Sequence, residues 1–256
     1  MTRTGARTST TPRDGDLGLR RLENSAGLSI SALPTGCIFA IEHTGTGSRT
    51  MLNQVLGSPV GGSIGRIYLR SGGPVPTGGP APNVTQVLGP GAKIRFGAGD
   101  DRFVWDGLTG GVHHRLTLWL HPRESIWLWH LEITNERAAD LSADAVLVQD
   151  LGLAGRGFLM NNEAYASQYI DHHVAHEARL GPVVMSRQNL AQNGSHPWIL
   201  HACLDGAAGF ATDALQVSGR PTATPIASAA TATPTWRTSA CSTKWPAWRC
   251  SRAASP

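Results

Sequence analysis

The chain has 256 residues with 41% hydrophobic and 16% charged content, enough for one large or two ordinary soluble domains with a real core. Its formal charge of +4 comes from the C-terminal end: removing the five basic residues of 219–256, a stretch without acids, leaves 17 basic against 18 acidic residues. A body of net charge −1 offers no basic stripe, which argues against a nucleic-acid partner.

The four cysteines, 37, 203, 241 and 250, have no metal-type spacing and suit a reduced chain better than a disulfide scaffold. The N-terminus carries no apolar signal core, and no stretch approaches the length of a membrane span, so a cytoplasmic protein without a membrane partner is expected. The sequons at Asn83 and Asn193 then read as accidental.

Residues 1–21 are polar and unpatterned and read as a disordered leader. From Leu22 onward the pattern is that of strands. Leu28–Leu33 alternates, Pro34-Thr35-Gly36 makes a turn, and Cys37–Ile41 returns as the second arm of a hairpin. Ile64–Arg70 is a further strand, and the glycines and prolines of Ser71–Pro82 make a loop. Arg102–Trp105, Val112–Leu120, Ser125–Asn135 and Leu141–Leu151 predict an antiparallel meander. Within it Leu116, Leu118 and Leu120 share one face, as do Trp127, Trp129, Leu131 and Ile133. Val183–Leu190, Trp198–Cys203 and Gly209–Thr212 complete the strand set. The fold class predicted for 22–217 is therefore all-β, a large antiparallel β-sandwich.

After Val217 the chain changes character. Residues 218–256 show no period of two or 3.6 and mix Ala, Thr, Ser and Pro with three tryptophans and two cysteines. This is an unstructured tail by composition, and the mixture also matches a GC-rich gene read out of frame. We expect a shifted reading frame or misassembled end at that point.

The chemistry-bearing stretch is Asn161–His173, NNEAYASQYIDHH. Planar amides and carboxylates match hydroxyl pairs of a sugar, and aromatic faces match the apolar side of a pyranose. Asn162, Glu163, Tyr165, Gln168, Tyr169 and Asp171 supply that mixture, although a loop packed over a sheet also needs polar groups for its own backbone. His172 and His176 would stand one turn apart on a helix, but no HExxH order is present, so solvated or hydrogen-bonded histidines are expected rather than a metal site. The pair His113-His114, at the start of a strand, is a weaker candidate still. Asp150, Glu163 and Asp171 do not by spacing alone define a glycosidase carboxylate pair. Trp105, Trp119, Trp127 and Trp129 read as core rather than as sugar platforms, because strand tryptophans mostly pack inside a sandwich. The glycine-rich patches lack a nucleotide-binding pattern.

The segments RLENSAGLSISALPTGCIFAIEH, VLGSPVGGSIGRIYLR, VQDLGLA, NNEAYASQYIDHHV and GPVVMSRQNLAQNGSHPWILHACLDGAAGFATDALQ resemble the N-terminal part of the phosphorylases of glycoside hydrolase family ninety-four. The similarity covers roughly Leu22–Gln216 and is greatest to the cellobiose-phosphorylase-like group acting on β-1,2-linked glucooligosaccharides. It implies a supersandwich of the galactose-mutarotase-like type, followed by a helical linker and an (α/α)-barrel. It also implies inverting phosphorolysis to α-glucose 1-phosphate, with inorganic phosphate as co-substrate, no cofactor, no metal, and a homodimer.

The likeness ends near Val217, before any barrel, so no catalytic residue is carried over and the chain is expected to be inactive alone. What the resemblance carries over is a supporting, substrate-binding role for Asn162, Glu163, Tyr165, Gln168 and Tyr169, with Arg187, Gln188 and Asn189 of SRQNL as second candidates for which structural roles are the main expectation. Two alternatives stand beside it: a free-standing carbohydrate-binding or interaction module, and a mutarotase-like enzyme, which would need a His and carboxylate pair.

Overall fold

The computed structural model describes residues 18–45, 48–54, 56–57, 64–71, 83–213 and the backbone of 244–250. Residues 72–82 of the loop expected from composition, most of the leader and most of the tail lie outside the described residues, and Ser71 ends a strand.

The regular structure of the described chain is almost entirely antiparallel sheet, as the alternating pattern predicts, and forms the expected all-β sandwich. Strands β1 (Arg20–Glu23), β2 (Leu28–Ala32), β3 (Ile38–Gly45) and β4 (Ser48–Met51) form one meander. The predicted hairpin is its centre, with Ile30 opposite Ile41. Strands β7 (Arg95–Ala98), β8 (Arg102–Thr109), β9 (Val112–Leu120) and β10 (Trp127–Asn135) form a second. Here β8 runs four residues further than the sequence suggested, to the turn at Gly110-Gly111, where both glycines have positive φ.

A mixed-order sheet joins β5 (Gly65–Ser71), β6 (Asn83–Leu88), β11 (Ala143–Gln149) and β15 (Ala207–Asp213). Its remaining member is β16 (Lys244–Cys250), whose backbone lies between β15 and β11. That seven-residue stretch departs from the expectation of a tail without regular structure. The physical reason is that β11 and β15 offer facing rows of backbone donors and acceptors, which an extended segment of almost any composition can pair with. The last sheet is β12 (Ile170–Glu177), β13 (Gly181–Gln188) and β14 (Trp198–His201).

One core joins the inner faces. Leu22, Ile30, Ile38, Leu69, Leu88, Phe103, Trp105, Leu116, Leu118, Ile170 and Ile199 are all buried in it. As predicted, β9 turns Leu116, Leu118 and Leu120 inward, while Trp127, Trp129, Leu131 and Ile133 of β10 pack against the same core. Phe96, Phe103, Trp105 and Trp129 form its aromatic centre, with ring centroids 5.3–6.0 Å apart. The Trp105 indole N–H donates to the Gly36 carbonyl at 2.8 Å and so ties the β2–β3 turn to the second meander.

The outer face of that meander is polar. Arg95, Asp106, Arg115 and Glu132 stand side by side on four successive strands with alternating charge. His113 points to this side, 3.3 Å from Asp106, and His114 points into the core. Adjacent positions on a strand face opposite ways, so the two histidines cannot share a ligand. No helix among the described residues is long and apolar enough to cross a membrane.

Candidate functional site

The segment that carries the polar cluster is built on a buried foundation. Strand β11 ends in Gln149 and Asp150 follows it, both buried. The Asp150 carboxylate accepts the backbone N–H of Gln54 at 3.0 Å. Gly152 follows, where any side chain would strike the Asn53 carbonyl and the Leu159 side chain, each 2.7 Å away. Its own N–H donates to Leu52, and Met51 and Ala154 exchange two backbone hydrogen bonds. This fixed crossing launches helix α1 (Arg156–Asn161), whose Leu159 packs with Met51, Ala154 and Ala166.

Asn162 ends α1 and opens α2 (Glu163–Ala166). Its side-chain amide donates to the Phe158 carbonyl at 2.9 Å, and its own carbonyl receives Tyr165 and Ala166. A 3-10 turn, Ser167–Tyr169, then leads into β12. NNEAYASQYIDHH is therefore two short helical turns entering a strand, with Ala166, Ser167 and Ile170 buried and Tyr165, Gln168 and Tyr169 exposed.

Strand alternation sorts the rest. On β12, β13 and β14 one face presents Asp171 and His173, then Arg187 and Met185, then Trp198 and Leu200. Asp171, Arg187 and Trp198 are consecutive cross-strand neighbours, with the guanidinium 3.9 Å from the carboxylate. The Trp198 side chain is 63% exposed. Tyr169 precedes Asp171 by two residues and meets Asn189 through a 2.7 Å backbone bond. The outer face of this sheet thus carries an indole, a guanidinium and a carboxylate, and the turns that lead into it carry the exposed Tyr165, Gln168 and Tyr169. Such a surface can pair with vicinal hydroxyls and stack against a sugar ring.

The opposite face is structural. Gln188 is fully buried, and its amide is divided between the Gly152 carbonyl at 2.9 Å and the Leu190 N–H at 3.1 Å. Of the SRQNL candidates, then, Arg187 reaches the open surface, while Gln188 and the Asn189 backbone hold the β11–α1 crossing and the end of β12 to β13. The Asn162 side chain likewise serves the α1 terminus. The side chain of Glu163 lies outside the described residues.

His172 and His201 face inward beneath this surface. His172 meets the Ser186 hydroxyl at 2.9 Å, and His201 meets the Gln149 side-chain oxygen at 3.2 Å. Burial lowers the pKa of both, that of His201 to about 4, with the neighbouring His172 adding to the effect there. His172 and His176 lie on a strand, not a helix, which separates them by about 13 Å and removes the i, i+4 convergence. The described carboxylates Asp150 and Asp171 do not share a surface, since one is buried beneath the crossing and the other faces solvent.

The sequence reading missed Trp198, Met185 and Leu200. The alternation W-I-L-H with Ile199 in the core was the available signal, because it puts Trp198 on the opposite, outer face.

Residues 31–240 match the family model described as the SOGP N-terminal domain. A 1,2-beta-oligoglucan phosphorylase from Listeria innocua serovar 6a is 32% identical over 169 residues, which is 66% of this chain and 14% of that protein. The chain thus spans about one seventh of the length of this relative. The expected likeness to an N-terminal domain of a family ninety-four phosphorylase holds, and the chain belongs to the SOGP N-terminal domain family.

Proposed function

We propose that this chain is the carbohydrate-associated N-terminal domain of a β-glucan phosphorylase, and that the open face of β12–β14 meets the glucan. The observation that carries the reading is the exposed row Asp171–Arg187–Trp198 on a sheet entered from the exposed Tyr165, Gln168 and Tyr169, in a chain whose relative is named for an oligoglucan. On this reading the full-length protein performs inverting phosphorolysis of a β-1,2-linked glucooligosaccharide to α-glucose 1-phosphate. It would do so as a cytoplasmic homodimer, with inorganic phosphate as co-substrate and no organic cofactor or metal. The residues described here supply a supporting surface and no catalytic group.

The test uses the purified chain with β-1,2-glucooligosaccharide and phosphate. Binding without glucose 1-phosphate release is expected, and Arg187→Ala and Trp198→Ala should each weaken binding about tenfold, the value of one lost stacking or charge-assisted contact. Steady turnover would reject the supporting role, and unchanged binding in both variants would reject the face.

A free-standing carbohydrate-binding module is the second reading, favoured by the fact that the row Asp171–Arg187–Trp198 is made by one local sheet. The coding DNA separates the two, because barrel-type sequence in another frame beyond codon 217 supports the phosphorylase domain with a shifted end. A clean stop with no such sequence supports the module.

A further inference from the structure

Trp119 was expected in the core, yet it lies on the other side of its strand. Leu118 and Leu120 on either side of it are buried, which sends the Trp119 ring to the outer face of the β7–β10 sheet, where it is partly buried. Its cross-strand neighbours are Arg102 on β8 and Leu128 on β10, so Arg102, Trp119 and Leu128 form one row. Both flanking residues are exposed.

The ring is held by packing. The His121 ring stands against it at 5.6 Å and 89°, and Asp101 precedes its cross-strand neighbour Arg102. Arg102 grips the Asp101 carboxylate with two bonds of 2.7 and 2.8 Å. Held in this way, the ring does not have to be ordered again when a ligand stacks on it. The Asp101–Arg102 pair leaves guanidinium donors and carboxylate lone pairs at the rim of the platform. At the other end of the sheet an open depression is lined by Arg95, Asp106, Leu108 and His113.

We propose that this outer face is a second carbohydrate-binding surface, in which a sugar ring stacks on Trp119 and its hydroxyl pairs bond Asp101 and Arg102. A held aromatic ring beside a polar bidentate pair fits a sugar, with one apolar face and a hydroxyl rim. A protein partner would be better served by a contiguous apolar patch, which the charged row Arg95–Asp106–Arg115–Glu132 interrupts. The choice of a β-linked glucan as ligand rests on the function proposed above; the surface itself does not.

The test is a titration of nitrogen-15-labelled protein with β-1,2-glucooligosaccharide, following the indole N–H signals of Trp119 and Trp198, each assigned by its Trp→Phe variant. The Trp119 signal should shift with sugar, and Trp119→Ala or Arg102→Ala should weaken that site about tenfold while Trp198→Ala leaves it unchanged. A Trp119 signal that stays still while Trp198 responds overturns this surface and spares the first. The reverse result overturns the face proposed above and keeps this one. A Trp119 signal that ignores sugar but moves with protein concentration marks a contact between copies and also overturns it.

Discussion

Gln188 and Arg187 are sequence neighbours that the sheet sends to opposite sides, and they should fail in opposite ways. Replacing Gln188 with Leu nearly conserves volume but removes both amide bonds. The Gly152 carbonyl, on a buried residue, loses its 2.9 Å donor. An orphaned buried acceptor costs about 1–3 kcal/mol, and loss of the bond to the partly exposed Leu190 N–H adds about 0.5–1 kcal/mol. Gln188→Leu should therefore destabilise the domain by about 2–3 kcal/mol. With a urea slope of about 2 kcal/mol per M, the unfolding midpoint should fall by about 1 M. Arg187→Ala removes a half-exposed side chain whose carboxylate partner is 3.9 Å away, so its midpoint should move by less than about 0.3 M, though glucan affinity drops. Equal midpoints for Gln188→Leu and wild type would refute the reasoning, as would a comparable loss of stability in Arg187→Ala.

Other outcomes follow from the same physics. Gly36→Ala puts a Cβ 2.6 Å from the Trp105 indole nitrogen at φ +85°, so it should cost about 3 kcal/mol and lower the melting temperature by about 6–12 °C in a thermal scan. His201 is neutral in the folded state down to about pH 4 but takes a proton below about pH 6.5 when unfolded, so the unfolded chain binds more protons between these values. Stability should then fall by about 3 kcal/mol from pH 6.5 to 4, with His172 contributing in the same direction, and denaturant titrations of His201→Asn should show a visibly flatter slope. Trp198→Ala should leave the urea midpoint nearly unchanged, because its ring is exposed, while weakening glucan binding in affinity electrophoresis.

The strands themselves were legible because period two is a local property. Strands β8 to β11, the Pro34–Gly36 turn and the Leu116, Leu118, Leu120 face could be read from alternation and turn residues alone, but the expected fourth strand of the meander, β11, leaves β10 and pairs with β5 and β16 in another sheet. Strands β1, β4, β7 and β12 were harder to read, since they are short or polar and are strands chiefly because a neighbour supplies their hydrogen bonds. The same holds for β16, whose composition carries no strand signal.

What the sequence by itself determined was the all-β class, the spacing of the central strands, the family, and the chemical character of Asn161–His173. What only the tertiary structure decided was which of two adjacent residues is used and which is spent on the fold. Trp105 is core while Trp119 turns outward, Arg187 faces solvent and Gln188 binds backbone, and His172 faces inward while Asp171 is open. Alternation says only that neighbours differ. Which face is the inner one depends on what packs across the sheet, and that is set by contacts between residues far apart in the chain.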